Sequence, residues 1–558
     1  MAALLQRSTR TTTKSVGLVF FRYTDLRLHD HEPLTRAHAN HDHVLHCFCF
    51  DPRVTSPQAT TDFSKTLPKT GYLKTGVFRA KFLLESVANL QKNLNSRNHD
   101  LLIHSGTPES ILPSLVQEYN VSTIYAHEGE ATEEQLLLSS IETAVTKLNC
   151  TVQKVWGNTL YHIDDLPFNP RQVGAFPPTA SNFRNKTEKK SEIRPAFPIP
   201  SKLKRAPEKV ATTATTATTT TTGTTATTHN TLPTLADLVG ESIAGAYQQD
   251  PRSTLEFVGG EDAALSRMQE YFFDKDCLKD YFHTRNGMLG PNYSSKFSPW
   301  LSLGCLSPRL IYEEVCRYEK QRVKNKDTYW MLFELNVRDY FRFYTLHWGS
   351  SVFHLHGPKR IVQQNKNKGN NSSNSNNSNS SNKWTQDLAL FERWKHGTTG
   401  NPMIDANMRE LLSTGFMSNR GRQIVASYLT RDLGLDWRLG AMHFESFLID
   451  HDPCSNWGNW TYAAGVGSDP REDRYFNIAK QTKNYDPDHN YIRHWVEEMN
   501  VLSQQQLMKQ LTRGCRAKSS YNDGKGSNKG GHKGGNKGGK SGRKDGRKNK
   551  QGRYSYHN

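Results

Sequence analysis

The chain has 558 residues, of which 35% are hydrophobic, and it carries a net charge of +18 with a mean hydropathy of −0.72. This length predicts about two to four domains, and the polar average predicts disordered segments beside folded cores. No run of about eighteen apolar residues is present, so we expect no membrane-spanning helix.

The first fourteen residues, MAALLQRSTRTTTK, are rich in Ser, Thr and Arg and contain no acid. This composition is typical of an organelle transit peptide, and it is equally typical of a short disordered terminus. Two locations therefore stay open for the protein. The first interpretation places it in a chloroplast or mitochondrion, and the second in the cytoplasm or nucleus.

Residues 15–160 alternate short apolar runs with helical patterns. The runs VGLVFF, HVLHCFCF, DLLIHSG and STIYAHE predict strands, and FRAKFLLESVANLQKNL predicts a helix. Strands that alternate with helices are typical of an α/β domain built on a doubly wound parallel sheet. No G-x-G-x-x-G motif follows the first strand, so we do not expect this domain to bind a nicotinamide dinucleotide.

Residues 161–256 are Pro-rich and then Thr-rich, and the run at 211–228 cannot specify a core, so we predict a disordered inter-domain linker. Residues 257–500 are helical and aromatic in pattern, which predicts an all-α second domain. An Asn/Ser-rich insertion at 366–382 interrupts this domain and predicts a disordered surface loop. Four amphipathic stretches predict helices at 308–320, 329–346, 403–413 and 419–433.

The basic charge is concentrated in residues 513–558, which hold 14 Lys and Arg against two Asp and so account for +12 of the net +18. A Gly/Lys-rich segment buries little apolar area, so we predict a disordered tail. Such a tail attracts the phosphates of DNA or RNA without sequence preference, or it serves solubility alone. The eight cysteines have no metal-ligand spacing, and we predict no metal site.

Several segments of the second domain carry polar side chains at special positions. Residues 293–309 place hydroxyls ahead of a helix that begins at Pro308, and a helix start with free N–H groups suits a phosphate. Glu334 and Arg338 lie four residues apart on one helical face, which alone predicts an ordinary ion pair. Asn419 lies at a helix start, where capping is the ordinary role.

These segments, together with 394–412, 415–429, 436–438 and 448–465, resemble the photolyase and cryptochrome family over residues 15 to 497. The runs YSSKFSPWLSLGCLSPR, SNRGRQIVASYL and NWTYAAGVGSDPRED resemble its cryptochrome-DASH branch. The resemblance implies a U-shaped FAD inside the helical domain. The residues that match its binding site are Tyr281, Ser294, Ser295, Lys296, Phe297, Ser298, Arg338, Asn419, Arg422, Asp450, Asp452 and Asn456.

The resemblance also implies individual roles at this cofactor. The stretch 294–298 holds the phosphates, Asn419 faces flavin N5, Arg422 and Asp450 form a charge pair beside the ring, and Asp452 lies at its N3 and O4 edge. An amide at N5 cannot donate a proton as a carboxylic acid can, which favours the reduced, anionic flavin. A tryptophan relay is implied as well, running from the flavin outward through Trp460, Trp437 and Trp384.

The implied reaction is blue-light-dependent repair of cyclobutane pyrimidine dimers in single-stranded DNA, a carbon–carbon lyase activity driven by an electron from excited FADH⁻. Glu334 would hydrogen-bond the damaged bases, with Asn401 and Tyr462 beside them. Val337 stands where the family usually has Trp, and losing that platform removes stacking worth roughly 1–3 kcal/mol per base. Tyr462 also replaces a Trp of duplex-repairing photolyases, so both changes favour single-stranded substrate.

Two other functions stay open. The first is a blue-light photoreceptor that signals through flavin redox state and its basic tail, with nucleic-acid binding but little repair. The second is light-independent binding of nucleic acid. A (6-4) photolyase is disfavoured, because residues 418–429 lack the His that this branch uses to protonate its lesion. We expect a monomer.

In this branch the N-terminal domain commonly holds a folate antenna, 5,10-methenyltetrahydrofolate. Glu130, in the run HEGEATEE, is the candidate contact that the resemblance suggests. An acid at the start of a surface helix has the same sequence appearance, and that alternative stays open.

Overall fold

A computed structural model describes residues 14–61, 67–209, 231–358, 384–467 and 475–513. The Thr-rich run, the Asn/Ser-rich insertion, the first thirteen residues and the basic tail beyond Arg513 lie outside the described residues, so their predictions stay untested.

A parallel sheet of five strands forms the N-terminal part of the fold, in the order β3-β2-β1-β4-β5. The strands are β1 (Val16–Phe21), β2 (His43–Phe50), β3 (Leu102–Ser105), β4 (Thr123–His127) and β5 (Thr151–Val155). Every residue of β1 is buried, as expected for a central strand covered on both faces. The predicted doubly wound parallel sheet is therefore confirmed, and four of its strands lie within the predicted runs.

The fifth strand was not predicted. Its sequence, TVQKV, lies at the sheet edge, and most of its side chains are at least partly exposed. An edge strand of this kind lacks the apolar run that identifies the buried strands.

Four helices connect the strands: α1 (Glu32–Asn40), α2 (Val77–Asn95), α3 (Pro108–Tyr119) and α4 (Thr132–Thr146). The start of α4 is fixed by the Glu134 carboxylate, which accepts the backbone N–H groups of Glu130 and Ala131, both at 3.1 Å. This arrangement holds the turn that carries Glu130 at the carboxyl end of β4.

The described part of the predicted linker is packed against the rest of the protein. It contains the helices α5 (Ala180–Lys190), α6 (Leu235–Val239) and α7 (Glu241–Ala246). Phe183 of α5 is fully buried, and the carbonyl of Phe197 accepts the backbone N–H of Asp30 at 2.7 Å. The Phe183 side chain and the Phe197 carbonyl therefore anchor parts of a segment whose Pro-rich composition predicted a disordered linker.

The remaining described segments are helical, which confirms the all-α region. The helices are α8 (Glu261–Gln269), α9 (Tyr281–Thr284), α10 (Ser298–Ser302), α11 (Pro308–Gln321), α12 (Lys326–Trp348), α13 (Leu388–Lys395), α14 (Pro402–Thr414), α15 (Asn419–Ser427), α16 (Trp437–Phe447), α17 (Pro453–Ala464), α18 (Ile478–Tyr485), α19 (Asn490–Trp495) and α20 (Gln504–Arg513). All four predicted amphipathic helices are present, the last continuing beyond α15 as a wider turn at Tyr428–Asp432. None of the helices in the described ranges is both long and apolar enough to cross a membrane.

Buried charges join the sheet region to the helical region. Asp30, just before α1, accepts hydrogen bonds from Arg309 of α11 at 2.6 and 3.0 Å. Glu261 of α8 accepts the backbone N–H groups of Leu28 and His29, both at 3.0 Å. Because both partners are removed from water, these bonds fix the two regions in register.

Candidate functional site

The loop before α10 holds a buried cation. Lys296 is only 3% exposed, adopts a left-handed backbone conformation with φ of 62°, and its Nζ has no hydrogen-bond partner within the described part of the chain. The ammonium lies 2.9 Å from the centroid of the Tyr293 ring. Burial lowers the pKa of Lys296 well below its usual value. Because an unpaired buried charge is unfavourable, this loop is suited to an anionic group that neutralises Lys296.

Helix α14 places polar side chains in the protein interior near this loop. Glu410 is buried and accepts the hydroxyl of Tyr491 at 2.7 Å, and burial raises the pKa of Glu410 to about 7. Asn407, one turn earlier, has a buried Oδ1 without a hydrogen-bond partner in the described structure. Sequence reasoning missed these three residues. Asn407 and Glu410 are three residues apart and therefore share one helical face, and this spacing was the signal in the sequence that could have identified them.

A charged pair borders this interior. Arg422 of α15 donates from Nη2 to Asp450 at 2.8 Å and from Nε to the carbonyl of Met417 at 2.9 Å. The Phe416 ring lies 5.1 Å from the Lys296 ammonium and 5.8 Å from the Arg422 guanidinium. The lysine loop and the charged pair therefore lie on either side of one aromatic ring.

One face of α17 aligns a carboxylate, an amide and an indole at positions 452, 456 and 460. Asp452 caps the helix by accepting the backbone N–H of Ser455 at 2.7 Å, and it accepts Arg342 Nη2 at 2.6 Å. Burial alone would raise the pKa of Asp452, but the Arg342 and Arg338 guanidinium groups hold it below its usual value. Asn456 is 8% exposed and donates from Nδ2 to the carbonyl of Ala441 at 3.0 Å.

Asn419 does not have its expected local role. Ser418 caps α15, because its hydroxyl accepts the N–H of Gly421 at 3.0 Å, and Asn419 is the first helical residue with an exposed side chain. The capping expectation for Asn419 is therefore wrong. Asn456 is a second amide, buried on the face shared with Asp452, and the implied position of Asn419 at flavin N5 stays a prediction.

Glu334 and Arg338 do not pair with each other, so the expected ion pair is wrong. Arg338 donates to the carbonyls of Asn158 at 2.6 Å and Leu301 at 3.2 Å, and burial lowers the pKa of Arg338 to about 10. Glu334 instead pairs with Arg285 at 2.8 Å. The Arg338 guanidinium thus joins the two regions of the fold, and its predicted contact with a cofactor stays untested.

The helix start at Pro308 is not open to a phosphate. The Ser307 hydroxyl accepts the N–H of Arg309 at 3.1 Å and donates to Asp30, which also binds the Arg309 side chain. The phosphate interpretation of this helix start is therefore wrong. The stretch 294–298 leads into a different, shorter helix, α10, whose first residue is Ser298 and which the sequence did not predict.

The other residues of that stretch are placed unevenly. Ser295 and Phe297 are buried, Ser294 is half-buried and Ser298 is exposed at the first position of α10. Tyr281 is buried, and both its ring and the Phe297 ring contact Tyr271, at centroid distances of 6.5 and 6.2 Å. Tyr281 and the loop are thus brought together through a shared neighbour.

The predicted relay tryptophans lie on adjoining elements. Trp460 packs on α16 at Gly440, where an added Cβ would lie 2.2 Å from the ring, and Trp437 is three residues earlier on α16. Thr385, next to half-buried Trp384, accepts the backbone N–H of Asp436 at 2.8 Å. Two further indoles were missed: Trp394 contacts Trp460 at 6.3 Å, and Trp457 contacts Trp437 at 5.7 Å.

Glu130 is not a surface acid, so that alternative is wrong. It is 2% exposed and accepts Arg342 Nη1 at 2.8 Å, while its Oε1 has no hydrogen-bond partner in the described ranges. Because Arg342 also binds Asp452, one guanidinium joins the candidate antenna contact to the candidate cofactor site. Sequence reasoning missed Arg342, since nothing local distinguishes it from Arg338, the other Arg of α12.

The two remaining candidates for DNA contact differ in how deeply their side chains are buried. Asn401 is buried and caps α14 by accepting the N–H of Met403 at 3.2 Å. Tyr462 is half-buried on α17. Their contact with damaged bases stays a prediction.

Comparisons with known proteins show the family to which the chain is similar. A family model described as DNA photolyase matches residues 17–202, and one described as the FAD binding domain of DNA photolyase matches residues 331–527. Cryptochrome DASH, chloroplastic/mitochondrial, of Oryza sativa subsp. japonica is 46% identical over 504 residues, covering 88% of this chain and 78% of the relative. Cryptochrome DASH of Gloeobacter violaceus is 45% identical over 489 residues, covering 88% of this chain and 86% of that protein.

A solved structure is similar as well. The crystal structure of a cryptochrome from Synechocystis sp. PCC6803 is 42% identical in sequence and superposes with a TM-score of 0.75, covering 88% of this chain and 91% of that chain. The likeness therefore extends across both regions of the fold.

The residues of the site fit an FAD molecule. The buried polar atoms without hydrogen-bond partners among the described residues include Lys296 Nζ, Asn407 Oδ1 and Asp450 Oδ1. A diphosphate neutralises an ammonium, and the polar edges of a flavin and its ribityl chain offer donors to such oxygens. The unsatisfied groups are therefore of the kinds that this cofactor satisfies.

Proposed function

The chain belongs to the photolyase and cryptochrome family, in its cryptochrome-DASH branch, and binds FAD, and on this premise we propose that it is a blue-light-dependent lyase that splits cyclobutane pyrimidine dimers in single-stranded DNA. The observation that carries the proposal is the single face of α17 with Asp452, Asn456 and Trp460, next to the Arg422–Asp450 pair. This face offers a cofactor a fixed anion, a neutral amide and an oxidisable indole.

The chemistry that bound FAD supplies, in its reduced form, is light-driven transfer of one electron to the dimer and its return after the ring has split. Lys296 neutralises the phosphates of the cofactor. The Arg422–Asp450 pair would offer the bound cofactor two opposite charges, and Arg342 keeps Asp452 ionised although it is buried. We assign the position facing N5 to Asn456 rather than Asn419, because Asn456 is the buried amide.

The tryptophans provide a route for electrons between solvent and the buried site. Trp460 is the inner residue, Trp437 the middle one and half-buried Trp384 the outer one. An indole is oxidised more readily than most side chains, so a series of them conducts single electrons where a single ring does not reach.

Substrate choice follows from the residues on α12. Glu334 offers a carboxylate to the N–H groups of the damaged bases, and its side chain is 29% exposed. Val337 supplies no aromatic platform, which weakens the extraction of a dimer from a duplex. A single strand has no stack or pairing to break at the lesion, so it needs the least extraction energy.

We also propose that 5,10-methenyltetrahydrofolate binds beside Glu130 as an antenna, with the unpartnered Oε1 of this residue as a contact.

The rice relative is named chloroplastic/mitochondrial, and the first fourteen residues have a matching composition, so we propose an organelle location. A fusion of these residues to a fluorescent protein tests the location. A diffuse cytoplasmic signal would contradict it.

The test of the main proposal uses purified, photoreduced protein and oligo(dT) that carries ultraviolet-induced dimers. We expect blue light to restore the absorbance of intact thymine, and we expect Trp460→Phe to slow photoreduction of the oxidised protein. Dimers that stay unchanged under blue light, with FAD bound and reduced, would refute the lyase function.

Val337 favours one second candidate, a photoreceptor that signals through flavin redox state with little repair. Photoreduction without dimer splitting would support this function. A light-dependent interaction that is lost when residues 514–558 are deleted would support it further, whereas binding that needs the tail but neither light nor FAD would indicate a nucleic-acid-binding protein alone.

A further inference from the structure

The two carboxylate oxygens of Glu334 have different environments. Oε1 accepts two hydrogen bonds, from Arg285 Nη1 at 2.8 Å and from Trp330 Nε1 at 3.2 Å. Oε2 accepts none from the residues that the structure describes. The side chain is 29% exposed, so the second oxygen is within reach of a ligand from solvent.

The two donors are themselves held in place. Trp330 lies one helical turn before Glu334 on α12, and Arg285 follows the last turn of α9. The Arg285 guanidinium lies over the Trp330 ring at 5.0 Å, and the Trp330 ring stacks on Phe333 at 4.4 Å. The Arg184 guanidinium lies over the Phe333 ring at 5.1 Å. These contacts form a column of two rings between two cations.

This column restricts the Glu334 side chain. A carboxylate on a flexible side chain normally samples several rotamers and presents either oxygen. Two donors that converge on Oε1 from fixed directions leave a narrow range of orientations, and a charge-assisted bond from Arg285 strengthens the restriction. Oε2 is then presented in one direction as an acceptor with both lone pairs available.

The restricted oxygen suits a particular ligand chemistry. The Watson–Crick edge of thymine or uracil carries an imide N–H, which is a donor, between two carbonyl oxygens, which are acceptors. An ionised carboxylate accepts only, so it selects the imide N–H. At Val337 no ring competes for the same base by stacking.

We propose that Trp330 and Arg285 are positioning residues that hold Glu334 with Oε2 directed at the imide N–H of a pyrimidine in the dimer, and that this preorganised acceptor sets the preference for damaged over intact single strands. The inference rests on one part of the proposed function, the assignment of Glu334 as the contact to the lesion, and it does not depend on the light-driven step. It assigns lesion recognition to an oriented hydrogen bond in place of aromatic stacking.

The test measures binding in the dark by the full-length, FAD-containing protein. Two fluorescent oligo(dT) probes are compared, one with a single thymine dimer and one without, and the ratio of their dissociation constants gives the discrimination. Trp330→Phe removes the N–H and keeps an aromatic ring. Trp348→Phe, at the other end of α12, is the matched control and should leave the discrimination unchanged.

We expect Trp330→Phe to lower the discrimination by about 3- to 10-fold, the size of one weakened hydrogen bond to a charged group. Arg285→Gln should lower it by a similar factor, and Arg285→Lys should restore part of the loss. In a Glu334→Gln background, Trp330→Phe should have no further effect, because both changes act on the same bond. In repair assays the Trp330→Phe change should appear in KM more than in kcat.

Two results would overturn the inference. The first is a Trp330→Phe effect of equal size with and without Glu334→Gln, since the ring column would then act through folding alone. The second is unchanged discrimination in Glu334→Gln. Failure of the proposed function looks different: the probes would be discriminated in the dark as expected, yet light would leave the dimer intact, and the inference would still hold.

Discussion

Gly440→Ala tests whether the Trp460 ring lies against α16. An added Cβ would lie 2.2 Å from Cη2 of the ring and 2.7 Å from Cζ2 and Cζ3, all far below ordinary van der Waals contact. The ring has little room to move, because Phe444 lies 5.2 Å away and Trp394 lies 6.3 Å away, both buried. The substitution therefore forces the indole or the helix to shift.

Two opposing terms decide the size of the effect. Replacing Gly by Ala inside a helix stabilises it by about 0.8–1 kcal/mol through backbone entropy. Overpacking of a core costs typically about 1–3 kcal/mol. We therefore expect a net loss in the free energy of unfolding of up to about 2 kcal/mol, together with slower photoreduction, since the inner relay indole is displaced.

The measurements are urea unfolding and the rate at which blue light bleaches the bound, oxidised FAD in the presence of a reductant. Gly245→Ala is the matched control, because it is also helical and an added Cβ there meets nothing within 4 Å. We expect this control to be neutral or stabilising with unchanged photoreduction. If Gly440→Ala behaves like the control in both measurements, Trp460 does not pack as described.

Three further predictions concern the buried charges. Lys296→Met should stabilise the FAD-free protein in thermal unfolding, because it removes an unpaired buried cation. The same substitution should lower FAD affinity by at least about tenfold in equilibrium binding. An unchanged affinity would contradict the assigned role. Asp30→Asn leaves Arg309 buried without its carboxylate, so we expect the free energy of unfolding in urea to fall by about 3–5 kcal/mol. A fall below about 1 kcal/mol would mean that the pair is not desolvated. Burial lowers the pKa of His38, His127 and His443 to about 3. Acid should therefore destabilise the protein as the pH falls from about 6.5 towards 3, because only the unfolded chain binds these protons in that range. Urea midpoints that are equal at pH 7 and pH 5 would refute this prediction.

Much of the fold was predictable because its elements are encoded locally. The continuous apolar run of β1 and the amphipathic period of α11 depend only on neighbouring residues, and both elements appear as predicted. The edge strand β5 was missed because an exposed strand needs no apolar run. The short helix α10 was missed because its five residues are too few to show a period.

Predictions about individual polar side chains were less accurate, and the errors have one cause. Asn419 was expected to cap α15, and Glu334 was expected to pair with Arg338, because those partners are nearest in sequence. Ser418 and Arg285 take these positions in the structure. A polar side chain bonds the best-placed group in space, and chain neighbours are only some of the candidates.

The sequence by itself determined the family, the parallel sheet, the main helices and the set of residue types that a flavin site needs, since all of these follow from local patterns and motifs. Only the tertiary structure decided which polar groups are buried and what they bind. Arg342 joins Glu130 to Asp452 across more than three hundred positions of the sequence, and Arg285, which follows α9, pairs with Glu334 of α12. Burial and pairing depend on packing between distant segments, which no local pattern records.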